Sequence, residues 1–326
     1  MPGVWCQQGR LREDRSLTIS AAGAKRIEDL AREEGFSRAG FAAPSGGQSI
    51  LVCCLSCHRP EPDDLSTPTD PHGLIAPFAR RNYYKTAVRM MRRVAARLEE
   101  ELGIPRTSVR IFCNSRMPEK ALCVAAGLAW LATNGLCIAP GLGSLFVIAG
   151  AVIPAALPGA STPATPLSNR CGSCRRCIDA CPTGAIVGPG NVDRELCLQA
   201  FAGRDQALPR DVMEKWGTRL YGCQSCQSVC PHNRGPLEEG PPALGEIGPS
   251  VSLRWFLSLE GQRVRELFQG TAMGMSWISK GALVRNGLLA AGSSRNSGLR
   301  TCATPFLDSP SRALREAALW ALERMA

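Results

Sequence analysis

The chain has 326 residues, of which 44% are hydrophobic and 20% are charged, so it can bury a normal core and is not a disordered protein. Its formal net charge of +10 attracts polyanions, but it does not by itself indicate nucleic-acid binding. The sequence has no run of about 18 uninterrupted apolar residues and no apolar core of a secretory signal near its start, so we expect a cytoplasmic protein without a membrane span.

Hydrophobic periodicity predicts alternating helices and strands in the first half of the chain. We expect helices at 21–35, 83–102 and 118–132 and strands at 49–56, 108–113 and 145–153. This alternation is typical of an α/β domain, which we place at 20–160 after an N-terminal extension, 1–19. Asp70, Pro71, His72 and Gly73 are interpreted as a turn. Six cysteines are predicted to be buried as small apolar side chains: Cys53, Cys54, Cys57, Cys113, Cys123 and Cys137.

A cysteine-rich region, placed at 161–240, follows a connection rich in Pro, Ser and Thr. The remaining residues, 241–326, contain helical patterns near 280–292, 297–307 and 311–325. Paired short helices of this kind indicate an all-α, HEAT-like tail. The tail has nine basic and five acidic residues from 260 onward, a balance that suits contact with phosphates.

The cysteine spacing predicts two 4Fe-4S clusters in a domain of the bacterial ferredoxin type. The first run has the C-x2-C-x2-C-x3-C-P arrangement, in which the fourth cysteine ligates the other cluster. The second run is one cysteine short, and Cys197 is the only other cysteine between the runs. We therefore assign Cys171, Cys174, Cys177 and Cys230 to the first cluster and Cys181, Cys197, Cys223 and Cys226 to the second. A zinc site is the less favoured alternative, because a tetrahedral site needs only four ligands.

Several segments resemble the epoxyqueuosine reductase family. The second cysteine run lies in RLYGCQSCQSVCPHN, in which a Tyr-Gly pair precedes the cysteines. The stretches APFARRNYYKTAVRMM, SRMPEKALCVAAGLAWLATNGLCIAP and WISKGALVRNGLLAAG are also similar to family segments, in the same order. The resemblance covers about 20–326.

The resemblance implies a cobalamin-dependent reductase that converts epoxyqueuosine to queuosine at the wobble position of tRNA. Its partners would be the anticodon stem-loop and an electron donor such as a flavodoxin or a ferredoxin. The family pattern implies cobalamin contacts at Asn114, Gly143, Ser144, Leu198, Gln199 and Ser225. Six arginines could hold tRNA phosphates: Arg175, Arg176, Arg194, Arg204, Arg210 and Arg219.

The sequence departs from the family pattern at the acid. Asn114 occupies the position of the family's aspartate proton donor, and an amide cannot deliver a proton as a carboxylic acid does. Tyr83, Tyr84 and Glu119 are the alternative donors. The departure keeps two other functions open: a corrinoid iron-sulfur reductase of a small molecule, and a ferredoxin-like electron carrier.

Overall fold

The computed structural model describes residues 17–45, 47–156, 167–259 and 261–325. Most of the predicted extension and much of the connection before the first cysteine run lie outside these residues. Within them, no helix is long and apolar enough to cross a membrane.

The described residues contain both strands and helices. The strands are β1 Leu17–Thr18, β2 Arg38–Ser45, β3 Gln48–Ser56, β4 His72–Ile75, β5 Arg110–Cys113, β6 Trp130–Leu131, β7 Cys137–Ile138, β8 Phe146–Ile153, β9 Ala155–Ala156, β10 Ile186–Gly188, β11 Asn191–Val192, β12 Arg219–Tyr221 and β13 Ser250–Ser252. The α-helices are α1 Ala21–Glu33, α2 Tyr83–Leu102, α3 Glu119–Ala125, α4 Arg176–Asp179, α5 Leu198–Phe201, α6 Arg210–Glu214, α7 Ser225–Ser228, α8 Leu253–Leu257, α9 Gly261–Phe268, α10 Lys280–Ser294, α11 Arg300–Ala303 and α12 Arg312–Arg324. Short 3₁₀ helices cover Pro77–Ala79, Arg106–Ser108, Pro231–Asn233, Ala272–Gly274, Ser297–Leu299 and Thr304–Asp308.

The N-terminal part is built on a four-stranded sheet with the order β2-β3-β8-β5. All three strand pairings are antiparallel, so the sheet is not the parallel one that a strictly alternating α/β pattern favours. Alternate residues of β3 face opposite sides: Leu51 and Leu55 pack towards α1 and α2, whereas Val52 packs towards α3. The sheet is therefore covered by helices on both faces.

A second sheet joins distant parts of the chain. Its central strand β4 pairs in parallel with β12, which precedes the second cysteine run, and antiparallel with β13, which opens the tail. The predicted turn at 70–73 is therefore wrong in its second half, because His72 and Gly73 belong to β4. Residues of all three predicted regions thus meet in one sheet.

Two further predicted elements differ from the structure. The helix expected at 118–132 ends at Ala125, because Gly127 adopts a left-handed φ of 68°, and the chain continues into β6. The helix expected at 297–307 is a four-residue α-helix between two 3₁₀ segments. The strands at 49–56 and 145–153 and the helices at 21–35, 83–102, 280–292 and 311–325 match the structure to within a few residues.

The tail and the cysteine-rich region share one hydrophobic core. Apolar side chains of α5, α6 and β12 pack in the same cluster as those of α8, α10 and α12. Helices α10 and α12 approach closely at Gly292, where an added Cβ would lie 2.7 Å from the Cα of Ala321. The tail is therefore packed as an integral part of the molecule.

Candidate iron-sulfur centres and reduction site

The first proposed ligand set lines one cavity. Cys171, Cys174, Cys177 and Cys230 all contribute to a space of about 50 Å³, which is also lined by residues of the loop after β6. Trp130 and Ile138 pack on the same side, with Arg170 stacked 5.7 Å above the Trp130 ring. Four thiols around one apolar cavity fit a cluster held within the protein.

The second proposed ligand set also converges. The burial of Cys226 raises its pKa to about 12, and the neighbouring thiols that add to this effect include Cys223, Cys197 and Cys181. Cys177 of the first set also acts on Cys226, which places the two sets next to each other. Such proximity suits electron transfer between two clusters.

Backbone groups around Cys181 favour its thiolate. Burial would raise the pKa of this thiol, but N–H groups of Thr183, Ala185 and Ile186 lower it, and the net pKa lies below its ordinary value. Thiolate is the form that ligates a metal. No three His, Cys, Asp or Glu side chains in the described ranges meet closely enough to coordinate a single metal ion. The thiols of the first set thus surround a space instead of meeting at a point.

The N-terminal part contacts the second cysteine run through a hydrogen-bond network. The backbone N–H of Ser144 donates to Oδ1 of Asn233 over 2.7 Å, and Nδ2 of Asn233 donates to the Ser144 hydroxyl over 2.9 Å. Nε2 of Gln227 also donates to that hydroxyl, over 3.0 Å. Gly143 has a left-handed φ of 57°, and an added Cβ would lie 2.1 Å from Oδ1 of Asn233. Glycine is therefore required for this contact.

The predicted cobalamin contacts divide into two groups. Asn114 is exposed, and Gln199 and Ser225 are partly exposed, so these three side chains can reach a ligand. Gly143, Ser144 and Leu198 are buried, and the polar groups of Ser144 are already used by Asn233 and Gln227. Asn114, Gln199 and Ser225 are therefore the predicted contacts with accessible side chains, whereas Gly143, Ser144 and Leu198 are covered by protein.

The alternative proton donors are not equivalent. Tyr83 is fully buried, and its hydroxyl, close to Arg59 and Arg81, has no hydrogen-bond partner of good geometry in the described structure. Burial raises the pKa of Tyr84, and charges on Tyr221, Cys113 and Glu119 add to the rise. Tyr84 therefore lies close to the strand that leads to Asn114. It is also close to Tyr221, which precedes the second cysteine run.

Asn114 stands at the start of an exposed loop between β5 and α3. It adopts a left-handed φ of 50°, a conformation that Asn and Asp tolerate better than other non-glycine residues. Glu119, the first residue of α3, accepts hydrogen bonds from the Ser115 backbone N–H over 2.8 Å and from the Ser115 hydroxyl over 3.0 Å. The carboxylate of Glu119 thus shapes the loop that presents Asn114.

Two buried polar residues, Asn82 and Thr133, have structural roles here. Asn82 caps α2 by accepting a hydrogen bond from the Lys85 N–H over 3.0 Å, and its amide donates to the Thr271 carbonyl. Thr133 is buried, and its carbonyl accepts a hydrogen bond from the Gly190 N–H. Of the six cysteines expected to be buried, Cys113 is only partly so, and its thiol donates to the Ile148 carbonyl; the other five are buried.

The six candidate RNA-binding arginines also differ. Arg210 pairs with Glu323 at 2.8 Å, and Arg175 lies 3.8 Å from Asp179. Arg219 is partly buried and donates to the hydroxyl of Ser225 over 2.7 Å. The remaining three are exposed and form no ion pair with any residue in the described part: Arg176, Arg194 and Arg204. These three are the arginines most available to a phosphate.

Comparison with known proteins identifies both the domain and the fold. A family model described as a 4Fe-4S double cluster binding domain matches residues 170–233. The chain is 29% identical to the epoxyqueuosine reductase of Bacillus subtilis (strain 168) over 291 residues, which is 86% of this chain and 72% of that protein.

Two solved structures have the same fold at 22% identity and a TM-score of 0.79. One is an epoxyqueuosine reductase from Bacillus subtilis whose catalytic aspartate loop has swung out of its active site, and the match covers 93% of this chain and 90% of that one. The other is an epoxyqueuosine reductase in a crystal with an epoxyqueuosine-modified stem loop of tRNA-Tyr, matched over 92% of this chain and 89% of that one.

Proposed function

We propose that this chain, which belongs to the epoxyqueuosine reductase family, reduces epoxyqueuosine to queuosine at the wobble position of a tRNA. One observation carries the proposal: Tyr84 of the N-terminal part packs against the core cluster that contains Tyr221, two residues before Cys223, so the N-terminal part presents a surface with a phenol to the second cysteine run. An electron carrier alone would need no such surface. The cytoplasmic location in this proposal follows from the tRNA substrate.

In this proposal the eight cysteines hold two 4Fe-4S clusters with the ligand sets given above. An external flavodoxin or ferredoxin supplies electrons one at a time, and the adjacent clusters accept and pass them. Removal of the epoxide oxygen as water consumes two electrons and two protons. Two clusters suit this stoichiometry, because each can carry one electron at a time from the external donor towards the site.

Cobalamin completes the proposed site at Asn114, Gln199 and Ser225, the three predicted contacts whose side chains are exposed or partly exposed. When bound, it supplies a low-valent metal centre able to open the epoxide. Gln199 has a second task, because its Oε1 accepts a hydrogen bond from the Cys223 N–H over 3.0 Å. A ligand on Gln199 would therefore lie next to the second cluster, where electrons arrive.

The proton in this proposal comes from Tyr84 or from water held at Asn114. The phenol of Tyr84 is protonated at neutral pH and can donate a hydrogen bond to the leaving oxygen, although burial raises its pKa and so makes it a weaker acid than an ordinary tyrosine. Tyr83 is fully buried behind the surface and is the weaker choice. Glu119 is held by Ser115, and it supports the loop in preference to acting as an acid.

The domain division in this proposal is a cobalamin-binding part at 20–160, a cluster domain at 161–240 and a HEAT-like helical region at 241–326. The anticodon stem-loop would contact the cluster domain through Arg176, Arg194 and Arg204, which are exposed and available to phosphates. This surface adjoins the segments that carry the proposed cluster ligands.

The test is a single-turnover assay with anaerobically reconstituted protein, cobalamin, a strong reductant and epoxyqueuosine-modified tRNA. We expect queuosine in the tRNA and about eight iron atoms per chain. A protein with both clusters and bound cobalamin that forms no queuosine would contradict the proposed substrate. It would favour the small-molecule corrinoid reductase, for which Asn114 is the supporting observation, because it replaces the family's acid. Clusters without cobalamin binding would favour the electron carrier.

A further inference from the structure

Helix α10 of the tail carries two adjacent polar residues that are almost completely buried. Arg285 is 1% exposed and Asn286 is fully buried, although the residues that follow them in the helix are small or apolar. Buried polar side chains normally have hydrogen-bond partners, and buried charges require them. The partners of these two side chains therefore indicate why they are there.

The amide of Asn286 bridges two chain segments that are far apart in sequence. Its Nδ2 donates to the Ala202 carbonyl and to the Leu220 carbonyl, both over 2.9 Å. Ala202 follows directly after helix α5, which itself begins directly after Cys197. Leu220 lies in strand β12, which ends two residues before Cys223. One side chain thus ties together the two segments that carry these cysteines.

Arg285 fixes the bridge. Its Nη2 donates to Oδ1 of Asn286 over 2.7 Å and to the Phe201 carbonyl over 2.8 Å. Its Nη1 donates to the carbonyls of Arg204 and Gln206, each over 2.7 Å. The Oδ1 contact orients the amide so that both of its N–H groups point at the carbonyls of Ala202 and Leu220. Burial lowers the pKa of Arg285 to about 10. Because this value is still well above neutral pH, the guanidinium stays charged.

A second hydrogen bond joins the same two segments directly beside the cysteines. Oε1 of Gln199, in helix α5, accepts a hydrogen bond from the Cys223 N–H over 3.0 Å. The segments are therefore held together at two points: by Gln199 next to the cysteines, and by Asn286 at Ala202 and Leu220. A shift of α5 relative to β12 would change the separation of Cys197 and Cys223.

We infer that Arg285 and Asn286 are positioning residues for the second cluster: the tail sets the distance between Cys197 and Cys223 through the Asn286 bridge. The inference rests on the proposed ligand set, in which both cysteines bind that cluster. It makes the helical tail part of the redox site, in addition to any contact that it makes with RNA. Hydrogen bonding and geometry around a cluster are means by which a protein tunes its potential.

The experiment compares Asn286→Ala with Leu289→Ala in the full-length, anaerobically reconstituted protein. Leu289 is buried in the same helix and in the same core, but its side chain offers no hydrogen bond to α5 or β12. Both changes weaken the packing of the tail, and only the first removes the bridge. Iron content, the electron paramagnetic resonance spectrum and the reduction potential of each cluster are measured, with circular dichroism to establish folding.

We expect Asn286→Ala to lose most of the second-cluster signal or to shift its potential, with the first cluster unchanged and Leu289→Ala like wild type. Arg285→Lys keeps the charge but cannot make all of these bonds, and we expect a smaller change of the same kind. If Asn286→Ala does not fold, Arg285→Lys provides the comparison with Leu289→Ala. Two normal clusters in the folded variant without the bridge, or the same selective loss in Leu289→Ala, would overturn the inference.

The ligand set is tested separately by Cys197→Ser. If that variant keeps both clusters, the assignment of Cys197 is wrong, and an effect of Asn286→Ala must then have another cause. If Cys197→Ser loses the second cluster and Asn286→Ala does not, the ligand set stands and the positioning role is refuted. The two failures can thus be distinguished.

Discussion

Asn114 has the backbone conformation that its loop needs, but not the acid of the family pattern. Its φ of 50° is tolerated by Asn and by Asp, so exchanging one for the other adds little backbone strain. The exposed position leaves room for a carboxyl group. The site can therefore be altered chemically without rebuilding the loop.

We predict that Asn114→Asp speeds single-turnover formation of queuosine. A positioned general acid typically contributes about 10²- to 10⁴-fold in rate, and the new carboxyl acts as one when the occupied site raises its pKa enough to keep it protonated near neutrality. The measurement is the rate of queuosine formation in tRNA by the wild type and the variant at equal cluster content. Asn114→Ala is the control, and it should not gain rate. A slower or equal rate for the aspartate variant would show that the proton reaches the substrate by another route.

The assignment of Cys197 as a cluster ligand is the least direct of the eight, because this cysteine lies outside both cysteine runs. We predict that Cys197→Ser impairs the second cluster more than the first, giving about four iron atoms per chain in place of about eight. Cys302, a partly exposed cysteine of the tail, provides the control as Cys302→Ser. Iron and sulfide analysis with electron paramagnetic resonance measures the result. Equal loss of both clusters, or of neither, would count against the assignment.

At the scale of elements, the turn before β8 and the second cysteine run are held together without a disulfide among the described cysteines. Asn233 forms the contact from the 3₁₀ helix at Pro231–Asn233, and the close approach depends on Gly143. The same contact that buries Gly143 and Ser144 also sets where the N-terminal part lies relative to the clusters.

We predict that Gly143→Ala destabilises the protein more than Gly103→Ala does. Both glycines have a left-handed φ, of 57° and 65°, so the backbone strain of alanine is similar at the two sites. Only at Gly143 does the added Cβ meet other atoms, the nearest 2.1 Å away, whereas nothing lies within 4 Å at Gly103. Relief of this clash would break the Asn233 bonds, at a cost of about 1–3 kcal/mol. Thermal unfolding of the two variants gives the comparison, and equal melting temperatures would show that the contact yields without loss.

The tail is the element whose role changes most between sequence and structure. It contains no cysteine of either cluster run, so the sequence favours a separate module for RNA contact. In the structure, its helices share a core with the cysteine-rich region, and β13 pairs with β4. Stability of the cluster region therefore depends on the tail.

At the scale of the whole molecule, the net positive charge can bind tRNA phosphates only through arginines that are exposed and not paired with acidic side chains. We predict that the affinity for tRNA falls steeply with added salt, because counterions are released when arginines neutralise phosphates. The variant Arg176→Ala/Arg194→Ala/Arg204→Ala should weaken binding and reduce the salt slope by about three. Arg210→Ala/Arg312→Ala is a control, because both of those arginines are paired with glutamates. Equal effects of the two variants would place the RNA surface elsewhere.

The sequence by itself determined the cysteine motifs, the long helices and the buried strands, because each depends on residues close together along the chain. Ferredoxin spacing predicts a double-cluster domain and its ligands, and the continuous apolar run of β3 indicates a strand buried on both faces. The 118–132 segment was mispredicted because a single glycine conformation outweighed its apolar periodicity. Short strands such as β4 were missed because they carry no periodic signal of their own.

Only the tertiary structure decided which distant residues meet. The antiparallel order of the main sheet, the sheet shared by β4, β12 and β13, and the bridge from Asn286 all join residues separated by tens to hundreds of positions. Such contacts depend on complementary surfaces and on the need to satisfy buried polar groups, neither of which is written in local spacing. In the sequence, Arg285 and Asn286 are two polar residues in an apolar helix; in the fold, they hold together the two segments that carry Cys197 and Cys223.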